Sequence, residues 1–460
     1  MNEKAAPQEN KMGTMPVSLL LVTMALPMML SMLVQALYNI VDSIFVSHVS
    51  EDALTAVGLA FPVQNLMISI AVGLGVGMGA LLSRALGAGD RKRADQVGLT
   101  GVLLVLFSSL FFVVFGLFFA RWYYVIQIDD AAVQHFGGDY LSIVASLSTA
   151  CFAQVVLERL LQSTGRTFYS MITQSTGAII NIILDPIMIF GYFGCPRLEA
   201  AGAAWATVIG QAVAALMALW FNLKKNPDIH LTFRGFRLEG EVIGQIFTIG
   251  LPSTVMSAIG SVLTFFMNQI LIVFTKTAST VFSTYFKLQS FAFMPIFGLN
   301  GAIIPIIAYN YGAKNRRRIV ATVRLGMAFA VSVMLVGLAI FQLLPATLLG
   351  MFNASEDMLA IGVPALRIIS VCFPFAGFSI IASSAFQALG RSMLSLWMSL
   401  IRQLVVLLPA AYLLSLTKVL DLVWLSFPIA ECFSVALCIL FLLRIWKQVV
   451  SPLPDGAPVR

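Results

Sequence analysis

Four polar residues interrupt the first apolar run of the chain: Gln35, Tyr38, Asn39 and Asp42, spaced i, i+3, i+4, i+7. On a helix they form one stripe. The stripe carries a carboxylate to bilayer depth, where an isolated charge is costly and marks a water-filled cavity or a partner. A second acid, Asp185, ends the stretch QSTGAIINIILDPI, with Asn181 one turn before it and Gln174 and Ala178 on the same face. Pro186 follows directly and leaves a backbone carbonyl without its helical donor. Thr207, Gln64 and Asn65 are expected at the same depth on neighbouring helices. Two carboxylates, an amide and a hydroxyl can ligate Na⁺ through oxygen, as hard cations prefer. Alternatively, two like charges in a dry site can share a proton. A third reading is a polar network that only pins helices together.

These residues need helices to hold them, and the composition supplies them. Of 460 residues, 59% are hydrophobic and 11% charged, against roughly 25% charged in soluble domains. Mean hydropathy is +0.93. The chain is therefore read as an all-α polytopic membrane protein. Apolar segments long enough to cross a bilayer fall near 17–46, 54–83, 95–118, 137–162, 168–190, 199–222, 241–272, 279–308, 319–343, 359–388, 393–415 and 421–446. Residues 1–15 and 448–460 read as free tails, and 223–240 as a polar linker between lobes 16–222 and 241–447. Clusters such as Arg91-Lys92-Arg93 and Arg316-Arg317-Arg318 fall on one side of this arrangement and acids such as Asp129-Asp130 on the other. The positive-inside rule then predicts both termini in the cytoplasm of a cell membrane.

The two halves are expected to be copies. An offset of 225 carries Leu26-Pro27 onto Leu251-Pro252, Phe61 and Gln64 onto Phe286 and Gln289, and Gln162, Gly165 and Arg166 onto Gln387, Gly390 and Arg391. Six helices per copy give both halves the same orientation, as in secondary transporters built from parallel repeats. Pro27 and Pro252 recur inside the first helix of each half and are hinge candidates. The acids do not recur: Asp42 maps onto Met267, Asn181 onto Val406 and Asp185 onto Ala410. The second half instead carries Lys287, Arg402 and Glu431, from which a buried pair is expected.

Other features carry less chemistry. Gly73, Gly75, Gly77 and Gly79 lack a preceding strand and the GxxxxGK spacing of a nucleotide loop; they read as sites of close helix approach. The five cysteines have no CxxC spacing, and the three histidines lie far apart, so neither a disulfide nor a metal enzyme is expected. Phe152, Phe265, Phe266, Phe291, Phe293 and Met294 are candidates to line an adaptable apolar cavity.

The stretches NIILDPI, AAGAAWATVIGQ, VGLGVGMGALLSRALGAGD and FMPIFGLNGAIIPIIAYNYGAKN resemble, in order, the multidrug and toxic compound extrusion (MATE) family, over about 16–447. The resemblance implies two six-helix lobes in a V, and export of cationic amphipathic compounds in exchange for Na⁺ or H⁺. Acids on helices one and five resemble the branch related to the DNA-damage-inducible member. In that branch the residues matching Asp42, Asn181, Asp185 and Thr207 form the cation site, Na⁺ included. The expected bearer is a monomeric bacterial transporter with a lipid bilayer and small organic cations as partners. No enzyme activity, nucleic acid or cofactor is expected. A lipid or lipid-linked oligosaccharide flippase of the wider superfamily, and a major facilitator transporter, remain the alternatives.

Overall fold

The structure, a computed structural model, describes residues 10–232, 236–352 and 354–455, and these are predominantly helical, with no strand among them. Ten helices are long and apolar enough to cross a bilayer, and two bent pairs make the number up to twelve. In the first half these are α1 (Val17–Ser47), α2 (Glu51–Gly87), α3 (Arg91–Phe118), α4 (Ala131–Ser146 with Ser148–Ser163), α5 (Thr167–Phe190) and α6 (Ala200–Lys225). The second half has α7 (Gly240–Ile272), α8 (Lys276–Gly312), α9 (Arg316–Leu343), α10 (Glu356–Ser370 with Phe373–Ala388), α11 (Ser392–Ser415) and α12 (Leu420–Val450). The breaks in α4 and α10 bend the chain by 46° and 47°.

The repeat expected from sequence is written into the backbone. The offset of 225 carries α2 onto α8 and α3 onto α9 at both ends, and the second limb of α4 onto that of α10. Helix starts are set by matching caps: Ser50 and Thr275, Asp90 and Asn315, and Asp130 and Ser355 each accept a backbone N–H two or three residues on. Each cap contributes about 1 kcal/mol by satisfying a donor that the helix leaves free. The left-handed positions match too: Gly89 with Lys314, Gly165 with Gly390, and Phe193 with Lys418. Two of these place a non-glycine residue where only glycine is unstrained, so the fold imposes the turn and the local sequence does not ask for it.

The chain packs as two units. One comprises residues 30–254, and the other residues 11–29 and 255–460. The packing thus divides inside α1 and α7, whereas the sequence placed the division at the 223–240 linker. Both helices run unbroken through their prolines, and Met29 and Thr254 close their segments two residues beyond Pro27 and Pro252. Glycines receive both segments. A Cβ on Gly73 of α2 would overlap the Thr254 hydroxyl and lie 2.8 Å from the Gly250 oxygen of α7. Its repeat mate, Gly298 of α8, would meet Met29 of α1 at 2.7 Å. The glycine run is therefore a packing surface, as small residues in membrane helices generally are.

Two repeat-related arginines secure the same entries. Arg93 reaches Glu241 at 3.1 Å and Gln245 at 3.2 Å, at the start of α7. Arg318 donates to the Met12 and Met15 oxygens, at 3.0 and 2.7 Å, just before α1. The N-terminal tail is accordingly not free over its whole length. Lys11–Thr14 is a short helix with Met12 fully buried, and Asn310 also donates to the Met12 oxygen at 3.1 Å.

Candidate functional site

Three helices of the first unit bring the acids together. Asp42 lies five residues before the end of α1 and Asp185 five before the end of α5, which closes on left-handed Gly191. Thr207 lies two turns into α6. What aligns α5 with α6 is an exchange of glycines: a Cβ on Gly210 would sit 2.6 Å from the Gly177 oxygen, and one on Gly177 would sit 2.9 Å from the Gly210 oxygen. The backbones touch there, and Asn181, one turn on from Gly177, comes within 3.2 Å of the Thr207 hydroxyl. With its amide nitrogen toward α5, Asn181 donates to Asp185 Oδ2 at 3.1 Å while its oxygen accepts from the Thr207 hydroxyl and backbone N–H at 3.2 and 3.1 Å. That orientation satisfies both neighbours, so Asn181 bridges the carboxylate to α6.

The two carboxylates feel each other's charge. Asp185 is fully buried, and Asp42 is half-buried. Oδ1 of each is buried without a hydrogen-bond partner, and neither acid has an ion pair among the described residues. Two orphaned anionic oxygens away from water are far too costly to persist without a compensating proton or cation. Pro186 has no N–H for the Ile182 carbonyl, so a further oxygen near this level is released.

The stripe on α1 splits on inspection. Gln35 accepts from Gln174 Nε2 of α5 at 2.6 Å. Tyr38 senses the charge of both Asp42 and Asp185. Asn39 is exposed and stands apart from this network. Gln64 of α2 donates to Tyr140 of α4 at 2.9 Å, and Tyr140 also senses Asp42; Asn65 is half-buried on the adjoining face. Tyr140 was not legible from sequence, because its pattern of neighbours is that of an ordinary core tyrosine. The same holds for Cys151, which is buried on α4.

The second unit holds the expected pair and leaves out its third member. Arg402 Nη1 of α11 donates to Glu431 Oε2 of α12 at 3.1 Å. Arg402 sits in a π-helical turn, Ile401–Leu407, a distortion often found where a helix is tuned for function. Lys287 points away: it is exposed and makes no ion pair among the described residues. A one-residue change of helical phase turns a side chain by 100°, and the sequence alone does not fix that phase. The aromatic cavity candidates also divide. Phe152 and Phe293 are packed in the core against Phe112 and Phe373, whereas Phe265, Phe266 and Phe291 are exposed. All five cysteines are free, and no group of metal-binding side chains is found among the described residues.

Known proteins resemble this chain in sequence and in fold. Multidrug export protein MepA of Staphylococcus haemolyticus strain JCSC1435 is 26% identical over 424 residues, covering 91% of this chain and 92% of that protein. A solved structure described as the outward-facing conformation of a multidrug resistance MATE family transporter of the MOP superfamily superposes with a TM-score of 0.91 at 25% identity. It covers 97% of this chain and all of that one. A MOP superfamily transporter from Pyrococcus furiosus, whose reversed pocket polarity is said to suggest a different function, superposes with a TM-score of 0.90 at 25% identity, over 97% of this chain and all of that one. The MatE family model matches twice, over 27–187 and 252–413, once on each copy of the repeat. The chain is a multi-pass membrane protein and belongs to the MatE family, the one its motifs resemble.

Proposed function

We propose that the chain is a secondary antiporter that exports cationic amphipathic compounds from the cell in exchange for H⁺ or Na⁺, working as a monomer with both termini in the cytoplasm. The observation that carries this reading is the pair of buried carboxylate oxygens on Asp42 and Asp185 that lack a hydrogen-bond partner. A site of that kind is completed by a proton or a small cation. Asn181 and Thr207 supply further oxygens, so Na⁺ fits the donor set as well as H⁺ does. Filling the site removes the repulsion between the acids and so favours the arrangement in which α1 and α5 are close. Emptying it favours separation. A cation that biases two packings of α1 couples its own gradient to export of a second solute. The unit boundaries two residues past Pro27 and Pro252 make these prolines the proposed pivots. The MepA relatives, named as multidrug export proteins, support drug export as the activity.

The test uses purified protein in sealed liposomes loaded with a fluorescent organic cation, under an imposed Na⁺ gradient and then a pH gradient. Asp42→Asn and Asp185→Asn are each expected to abolish gradient-driven movement while the protein still elutes as a folded species. Movement that persists in both variants removes the coupling role of this site. No movement in the wild type under either gradient, with lipid transfer present, favours the flippase.

A further inference from the structure

The second unit holds a cleft of about 1020 Å³ between the ends of α7 and α11. That is the upper end of the size of a small-molecule site. Its inner walls are apolar: Phe266 and Ile270 come from α7, Leu404 and Leu408 from α11. Its mouth is polar, with Gln269 in the last turn of α7 and Tyr412, Ser415 and Lys418 at the close of α11. Leu404 lies three turns before Ser415, so the cleft is roughly 15 Å deep. One leaflet of a bilayer offers hydrocarbon to about the same depth.

The polar mouth is particular to this copy of the repeat. At the offset of 225, Gln269 answers Ile44, Tyr412 answers Ile187, Ser415 answers Phe190 and Lys418 answers Phe193. Four apolar positions of the first copy are thus polar in the second, all at one end of one cleft. Lys418 and Phe193 share the left-handed backbone, at φ 59° and 58°, so the turn itself does not ask for a lysine. Lys418 is exposed and forms no ion pair among the described residues, although exposed Asp421 follows three residues on. The Ser415 hydroxyl donates to the Tyr412 carbonyl at 2.6 Å and fixes the last turn of α11. A cation at the membrane surface above a leaflet-deep apolar wall matches an amphipath with an anionic head. A cationic amphipath would set its charge against Lys418.

We propose that this cleft binds one anionic phospholipid of the surrounding bilayer. The phosphate lies at Lys418, Tyr412 and Gln269, and an acyl chain runs along Ile270, Leu404 and Leu408. Basic residues at a membrane surface attract anionic headgroups, each by about fivefold. The lipid is a resident ligand of the second unit, and it stabilises the folded protein by mass action.

The experiment titrates the full-length protein in detergent with phosphatidylglycerol and, separately, with phosphatidylcholine of the same chains. Retained lipid is counted by native mass spectrometry, and thermal unfolding is followed in parallel. Wild type is expected to hold one phosphatidylglycerol about fivefold more tightly than phosphatidylcholine, and to unfold at a higher temperature with it. Lys418→Gln is expected to lose the preference but still bind both lipids. Leu408→Trp fills the cleft and is expected to lower retention of both; should it not elute as a folded species, Ile270→Trp on the facing wall replaces it. Arg121→Gln removes an exposed cation of the first unit and is expected to keep the preference. A preference unchanged in Lys418→Gln, or lost equally in Arg121→Gln, overturns the proposal. So does displacement of the lipid by free glycerol phosphate or by a fluorescent organic cation. A dimer mass that Leu408→Trp abolishes gives the cleft to a second copy of the chain and overturns it as well.

Discussion

The Arg402–Glu431 pair makes an asymmetric prediction. The Glu431 side chain is 5% exposed and its Oε1 has no partner; the Arg402 side chain is 30% exposed. Removing Arg402 by Arg402→Met therefore leaves a bare buried carboxylate, a loss of about 3–5 kcal/mol. At about 1.4 kcal/mol per tenfold, that is a shift of roughly a hundred- to a few thousand-fold in the folding equilibrium. Glu431→Gln leaves a guanidinium less enclosed than the carboxylate and keeps a neutral acceptor, so its cost is the smaller, about 1–3 kcal/mol. Replacing both, as Arg402→Met with Glu431→Leu, removes the charges together and is expected to be close to neutral. The assay is a double-mutant cycle by denaturant titration in detergent, with Lys287→Ala as the control. Because Lys287 is exposed and unpaired among the described residues, that control is expected within about 0.5 kcal/mol of wild type. A Glu431→Gln cost equal to that of Arg402→Met, or a double variant costing the sum of both, refutes the reasoning. Efflux retained by the double variant identifies the pair as a lock; efflux lost despite a sound fold assigns it a part in transport.

Two packing contacts give further predictions. Gly210→Val forces α6 away from the Gly177 oxygen and from Asn181, with an overpacking cost of about 1–3 kcal/mol and weakened cation-driven efflux. Gly58→Val, where an added Cβ meets nothing within 4 Å, serves as comparison, and equal stability and efflux in the two variants contradict the argument. Arg318→Gln removes donors from the Met12 and Met15 oxygens. With charge-assisted bonds worth about 1.5–3 kcal/mol, trypsin cleavage after Lys11 is expected to accelerate about tenfold or more, and an unchanged cleavage rate shows that Arg318 does not hold the helix.

The parts legible in the sequence were those governed by local rules. Helix ends fell close to where the apolar runs stop, because caps such as Asp90 and Ser355 and turns such as Gly165 act within a few residues. Asp42, Asn181, Asp185 and Thr207 were grouped because spacing along a helix fixes depth, and in the structure Asn181 joins Thr207 to Asp185. The errors concern facing and partners. Lys287 and Glu431 share a depth but not a direction, and Asn39 shares a stripe with Asp42 yet is exposed. Lys11–Thr14 is ordered by Arg318, some 300 residues away, which no local pattern announces. Glu158 of α4, buried and bonded to Gln154 and Thr173, was the readable omission: an acid beside Arg159 in a long apolar run carries the same signal as Asp42, and the adjacent base made it look compensated. The exchange of α1 and α7 segments between units was invisible because each repeat has the same glycines and arginines.

That exchange of equivalent parts makes the loss of symmetry at one level informative. Gly177 of the first copy falls, at the offset of 225, on Arg402 of the second, and Gly210 falls on Val435. In the first copy two glycines let α5 and α6 touch backbone to backbone, and that contact carries Asn181 to Thr207 and to Asp185. In the second copy an arginine and a valine exclude such a contact. There α11 is wound as a π-helical turn through Ile401–Leu407 and reaches α12 through a salt bridge instead. The residues that would mirror the cation site, Met267, Val406 and Ala410, offer no side-chain oxygen. An arginine and a valine in place of two glycines thus separate two copies of a single backbone: the first keeps a pair of acids without an ion-pair partner among the described residues, and the second pairs Glu431 with Arg402.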